Sequence, residues 1–132
     1  METPNLERLK AAYASWAQPW ASAAEVWLAL CDDRVCVGSL GAATGGRLMS
    51  GKMAVAQYLA QLAADWEMLT YDMGEFVADG DRIVVIGRVV ARNRATGKLL
   101  DTPKIDVFRF EDGRIVEFFE HLDTAAEMAA RG

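Results

Sequence analysis

A carboxylate stands inside a strand-like run, KIDVFRF, at Asp106. Strand interiors disfavour Asp, and a carboxylate aimed into an apolar core is costly unless it is paired or protonated. An apolar cavity would raise its pKa, so that it could donate a hydrogen bond to a developing oxyanion or act as a base near neutral pH. Lys104, two residues earlier, offers the competing reading of a neutralised, partly hydrated pair. On a strand, Lys104, Asp106, Phe108 and Phe110 share one face, while Ile105, Val107 and Arg109 share the other.

The next run, RIVEFFEH, decides what joins Asp106. If Glu111-Asp112-Gly113 is a three-residue loop with Gly113 left-handed, Phe110 pairs with Arg114, Asp106 with Phe118 and Lys104 with Glu120. Val116, Phe118 and Glu120 then share the Asp106 face. A two-residue loop shifts the register by one and places Ile115, Glu117, Phe119 and His121 there instead. The first register is preferred, because Glu-Asp-Gly suits a type I turn plus bulge and because Lys104 then meets Glu120. His121 is the sole histidine and would become a base only in the other register; otherwise it belongs at a rim or a dimer contact. Asp72 and Glu75, in a strand-like segment, are read as solvent-facing.

Two further groups could assist. Tyr13 lies on a stripe of Leu6, Leu9, Tyr13 and Trp16 and could bring a second donor to a pocket floor. Trp16, Trp27, Tyr58, Trp66 and Met68 have the bulk to line an apolar pocket, as do Phe108 and Phe118 on the Asp106 face. The same residues would equally make an ordinary core.

The elements that must hold these groups follow from periodicity. Thr3-Pro4 caps and starts a helix that ends before Pro19, and Ser22-Ala-Ala-Glu25 reads as the capping box of a second, with Val26, Trp27, Leu30 and Cys31 on it and Asp32-Asp33 closing it. Arg34 to Ser39 alternates as a short strand. A segment with Gly38, Gly41, Gly45, Gly46 and Gly51 follows as a loop or lid. Its glycines match neither a dinucleotide nor a phosphate-loop pattern. Ser50 caps a third helix bearing Val55, Tyr58, Leu59, Leu62 and Trp66. From Glu67 the period becomes two, with turns at Asp79-Gly-Asp, Thr96-Gly97 and Glu-Asp-Gly, and a bulge expected at Pro103. Helices followed by a meander, with no alternation of strand and helix, predict an α+β fold in one domain over residues 1–132.

Composition narrows the function. The 132 residues carry 14 Lys and Arg against 19 Asp and Glu, a formal charge of −5, with the basic residues scattered. That argues against nucleic-acid and anionic-membrane partners. Cys31 and Cys36 lack CxxC spacing and His121 is the only histidine, so no metal site is expected; no cofactor is expected either. A charged, polar N-terminus and the lack of a long apolar run predict a cytoplasmic protein with reduced cysteines.

The segment Ile105-Asp106-Val107-Phe108-Arg109-Phe110 with Asp112-Gly113-Arg114-Ile115-Val116 resembles the last hairpin of ketosteroid isomerases and their SnoaL-like relatives in the NTF2-like superfamily. The order of elements agrees over essentially the whole chain. The resemblance implies a cone-shaped, cystatin-like α+β barrel, with three N-terminal helices packed on a curved antiparallel sheet around one deep apolar pocket. It also implies a homodimer through the outer sheet face and a small apolar ligand. In ketosteroid isomerase, a standard case of pKa tuning, a protonated Asp and a Tyr form an oxyanion hole while a second Asp moves the proton. Asp106 matches the first and Tyr13 the second, but Gly38 and Ser39 stand where the third should fall. Lys104-x-Asp106 with Glu120 also resembles, loosely, the Arg-x-Asp and second Asp of limonene-type epoxide hydrolases. The function implied is acid/base catalysis of the isomerase, dehydratase or cyclase type on a small apolar carbonyl or hydroxyl compound. The alternatives are a non-catalytic ligand-binding or assembly module, and an epoxide hydrolase.

Overall fold

The computed structural model describes residues 3–39 and 48–132 of the chain. Gly41, Gly45 and Gly46, of the glycine-rich segment, lie outside the described residues. Helix α1 (Pro4–Ala14) starts as its sequence predicts, with the Thr3 hydroxyl accepting from the Leu6 N–H at 3.2 Å and Pro4 at the first position. A short 3₁₀ turn (Ser15–Ala17) leads to α2 (Trp20–Leu30). Strand β1 (Cys31–Ser39), strand β2 (Leu48–Ser50) and helix α3 (Lys52–Asp65) follow. Four long strands complete the sheet: β3 (Trp66–Asp79), β4 (Arg82–Asn93), β5 (Leu99–Glu111) and β6 (Arg114–Leu122). Helix α4 (Thr124–Arg131) closes the chain, so the described helices are four and not three. Its start was readable: Asp123 accepts from the Ala126 N–H at 3.0 Å, and Glu127 meets Arg131 one turn on.

The sheet runs in the order β2-β1-β6-β5-β4-β3. The sheet is not wholly antiparallel, because β1 lies parallel to β6 while the other pairs are antiparallel. Leu9, Tyr13 and Trp27 from the first two helices pack with Val55, Tyr58 and Leu59 of α3 onto Val35, Val85, Phe108 and Ile115 of the sheet. A smaller cluster of Trp66, Ala91, Leu100 and Ala130 lies under α4. No helix among the described residues is long and apolar enough to cross a membrane.

Several boundaries differ from expectation. Pro19, not Ser22, sits at the N-cap of α2, and the Ser22 N–H already bonds the Pro19 carbonyl. Proline's fixed φ preorganises that start, leaving Ser22 inside the first turn. Asp32 and Asp33 belong to β1, which takes over directly at Cys31. Ser50 ends β2, and Gly51, at φ 96°, turns the chain into α3 without a side-chain cap. Pro103 pairs with Arg88 in a regular ladder and makes no bulge. The β5–β6 ladder ends at Lys104 and Leu122, one residue short of it.

The last hairpin departs most. Glu111 pairs with Arg114, so the loop has two residues, Asp112 and Gly113, both left-handed at φ 52° and 78°. Two left-handed residues make a type I′ turn, whose twist matches the strands better than the expected three-residue loop. Alone this turn would have carried His121 inward. Phe110 pairs with Ile115 and Arg109 with Glu117, however, so Val116 is an extra residue that restores the alternation. Asp106 therefore pairs with Glu120, Phe108 with Phe118 and Lys104 with Leu122, two residues from the expected partners but on the expected face. His121 is exposed opposite Ile105 on the outer face and is no base for the interior.

Candidate functional site

Three ionisable residues meet on the concave side of β5 and β6. Asp106 is 1% exposed, Glu120 5% and Lys104 7%. The Lys104 ammonium lies 2.9 and 3.0 Å from the Asp106 oxygens and 3.1 Å from Glu120 Oε2. One positive charge thus serves two carboxylates, an arrangement tenable without water only if other donors complete their shells. They do. Tyr13 from α1 donates its hydroxyl to Asp106 Oδ2. Tyr58 from α3 donates to Glu120 Oε2 at 2.6 Å, and Ser39 at the end of β1 donates to Glu120 Oε1 at 2.7 Å. Lys104 Nζ also donates to the Tyr71 hydroxyl at 3.2 Å.

This unequal supply of donors separates the two carboxyls. Burial raises the Asp106 pKa above its ordinary 3.8, and the Glu120 charge adds to it, against Lys104 and the Tyr13 hydrogen bond. Burial would raise Glu120 as well, but Lys104, Tyr58 and Ser39 together outweigh it and hold that carboxyl below the ordinary 4.5. Burial works against the charge of Lys104, yet Asp106, Tyr71 and Glu120 keep its pKa well above 10.5. Burial also raises Tyr13 and Tyr58, each facing a carboxylate. Tyr71 is pushed up to about 12 by burial, with the Lys104 ammonium pulling the other way. Two neighbouring carboxyls displaced in opposite directions can divide an acid role from a base role.

Two cavities adjoin this cluster. The inner one, about 50 Å³, is walled almost wholly by apolar side chains, among them Trp16, Trp27, Phe108 and Phe118, with Asp106, Tyr58, Lys104 and Glu120 at one side. That is room for a few heavy atoms. The outer one, about 600 Å³, runs past Tyr13, Trp66, Met68, Arg94 and Leu100 and reaches Ser39, Lys104 and Glu120. Its size suits a small organic ligand. Trp16, Leu62, Tyr71, Lys104 and Glu120 line both.

The structure brings together Asp106, Lys104, Glu120, Tyr13 and Tyr58. Trp16, Trp27, Phe108 and Phe118 lie beside them. Trp66 and Met68 line only the outer cavity, and Met68 is 47% exposed. Asp72 and Glu75 are exposed on β3. A Cβ on Gly38 would lie 2.8 Å from Phe119 Cδ1 and 2.9 Å from Leu48 Cδ2, so a carboxylate there would have to displace both side chains. Ser39 instead contributes its hydroxyl to Glu120. The parts played by Ser39 and Tyr71 leave no mark in the sequence: nothing in their local patterns separates a network residue from an ordinary strand residue.

A curved sheet closed by helices over an apolar cavity is the architecture of the NTF2-like fold. The SnoaL-like domain family matches residues 8–118, and the chain belongs to that family. No curated protein sequence matches it. An NTF2-like protein from Burkholderia xenovorans LB400 superposes with a TM-score of 0.84 at 20% identity, covering 98% of this chain and 96% of that one. A provisionally named SnoaL-like polyketide cyclase from Jannaschia sp. CCS1 gives 0.79 at 20% identity, over 98% and 92% of the two chains. A ketosteroid isomerase-like fold from Catenulispora acidiphila DSM 44928, in complex with trimethylamine, gives 0.77 at 14% identity, over 94% and 91%. These likenesses show the fold.

Proposed function

We propose that the chain is an acid/base enzyme acting on a small, largely apolar carbonyl or hydroxyl compound. The observation that carries this is the Lys104 ammonium set between two buried carboxyls displaced in opposite directions, where an outer cavity of ligand size meets a smaller inner one. A ligand in the outer cavity would place its oxygen against the Lys104 wall and one carbon in the inner chamber beside Asp106. The raised carboxyl makes Asp106 the stronger base of the two, so it takes the proton as the C–H bond breaks. The electron pair left behind forms an enolate, whose oxygen faces the Lys104 charge. Return of the proton to a different carbon gives isomerisation; loss of a hydroxyl from the β-carbon, which takes the proton back from Asp106 and departs as water, gives dehydration. Glu120, held ionised by three donors, keeps Lys104 charged and in place. Tyr13 orients Asp106.

The test needs no knowledge of the natural product. Small ketones such as 2-tetralone are incubated in D₂O, and exchange of their α-protons is followed by NMR. Wild type is expected to accelerate exchange, with the rate rising with pH as Asp106 loses its proton, and Asp106→Asn to lower it by about 10²-fold or more. Ketone binding without exchange above background would reject catalysis and leave the ligand-binding module.

Lys104 touching both carboxylates also supports the epoxide hydrolase reading, with one carboxylate activating water and the other protonating the ring oxygen. Lys lacks the planar fork of Arg. Diol formation from limonene oxide, without ketone exchange, would select it.

A further inference from the structure

We propose that Tyr71 is the residue that donates a hydrogen bond to the oxygen of the bound compound; this rests on the carbonyl-ligand reading above. Three tyrosines surround the Lys104 cluster, and their hydroxyl protons are not equivalent. Those of Tyr13 and Tyr58 are committed to Asp106 and Glu120. Lys104 spends its donors on Asp106, Glu120 and Tyr71. Of the three tyrosines, Tyr71 alone accepts within the cluster, through its hydroxyl oxygen, and its proton has no acceptor among the described residues. A ligand oxygen can engage it without breaking any bond of the network.

Its place in the fold agrees. Tyr71 lines both cavities, at the wall where they meet. Strand β3 carries one extra residue between Met68 and Thr70 and another between Asp72 and Glu75, so two bulges flank the short segment from which Tyr71 projects. Bulges re-aim side chains and bend a strand. Gly87 on β4 makes the second one sterically possible, since a Cβ there would lie 2.0 Å from the Asp72 carbonyl oxygen. The Lys104 ammonium, donating to the Tyr71 oxygen, makes the phenol a stronger donor in turn, as linked hydrogen bonds polarise one another.

The donor is tested with two probes of one shape, 2-acetylnaphthalene and 2-ethylnaphthalene, which differ by the carbonyl acceptor. Affinities are measured by quenching of tryptophan fluorescence, and the carbonyl stretch of the bound ketone by isotope-edited infrared spectroscopy. The ratio of ketone to hydrocarbon affinity is expected to fall about tenfold in Tyr71→Phe, as for one lost hydrogen bond. The wild-type carbonyl frequency should lie at the hydrogen-bonded, water-like end and move toward its value in hexane in the variant. A hexane-like frequency in wild type itself, or a ratio unchanged by the substitution, overturns the role of Tyr71 while leaving the acid/base reading standing. Binding of neither probe overturns both.

Discussion

Strands β5 and β6 carry an ion cluster on each face. On the outer face Arg109 lies 3.2 Å from Glu117, its direct cross-strand partner, with Arg82 at 3.7 Å from the same glutamate. On the inner face Lys104 lies between Asp106 and Glu120. The residue types and distances are alike, but their surroundings are not. Arg109 and Glu117 keep about a quarter of their side-chain surface in water, which screens them and satisfies whatever the pair leaves open. The inner groups keep less than a tenth of theirs exposed, and each carboxylate oxygen takes a protein donor. The difference teaches that a salt bridge is defined less by its two partners than by what else completes their shells.

Three substitutions sharpen or break that contrast. Lys104→Met has the largest expected effect, because it leaves two buried carboxylates without a cation; a loss of about 3–5 kcal/mol at pH 7 is expected from denaturant unfolding. Both carboxyls would then sit above their unfolded pKa values, so the variant's stability should be greatest in acid and fall as pH rises toward 7. A loss below about 1 kcal/mol would make the inner cluster equivalent to the outer one. Tyr58→Phe comes next, at about 1–3 kcal/mol, because it takes one of the two donors from the buried Glu120 Oε2 and leaves Lys104 alone there. Glu120 contributes stability above its ordinary 4.5 and loses it as pH falls through its lower folded value. Removing the Tyr58 donor raises that folded value, so acid unfolding should begin at higher pH than in wild type; an unmoved acid limb would show that Tyr58 does not hold the charge. Arg109→Met should cost less than about 1 kcal/mol, and the effect should shrink further in high salt.

Which side of the hairpin faces inward was legible, though through a three-residue turn that the structure does not have: both faces of KIDVFRF are mixed, and the two-residue turn with the extra Val116 arrives at the same inner set of Asp106, Phe108, Phe118 and Glu120. Which residue pairs with which was not. The turn type and Val116 shift the ladder in opposite senses, and their sum preserves the faces while moving the partners. Helix α1 was legible from its cap and its Leu6, Leu9, Tyr13 and Trp16 stripe. The starts of α2 and α3 were misplaced because Ser22 and Ser50 resemble caps, while backbone geometry at Pro19 and Gly51 performs that task. At the site, Asp106 stood out because it violates strand propensity. Tyr71 did not, because a tyrosine on a strand is what propensity favours, and its role depends on bulges that only pairing with β4 reveals.

The extra residue at Val116 also gives β6 a tolerance to changes of length. A one-residue deletion in the first half of the strand can be absorbed by straightening the bulge, with Glu120 still opposite Asp106. An insertion at the same place finds no slack to take up and would carry the glutamate out of the cluster. Shortened chains should therefore keep this arrangement of charges where lengthened ones lose it.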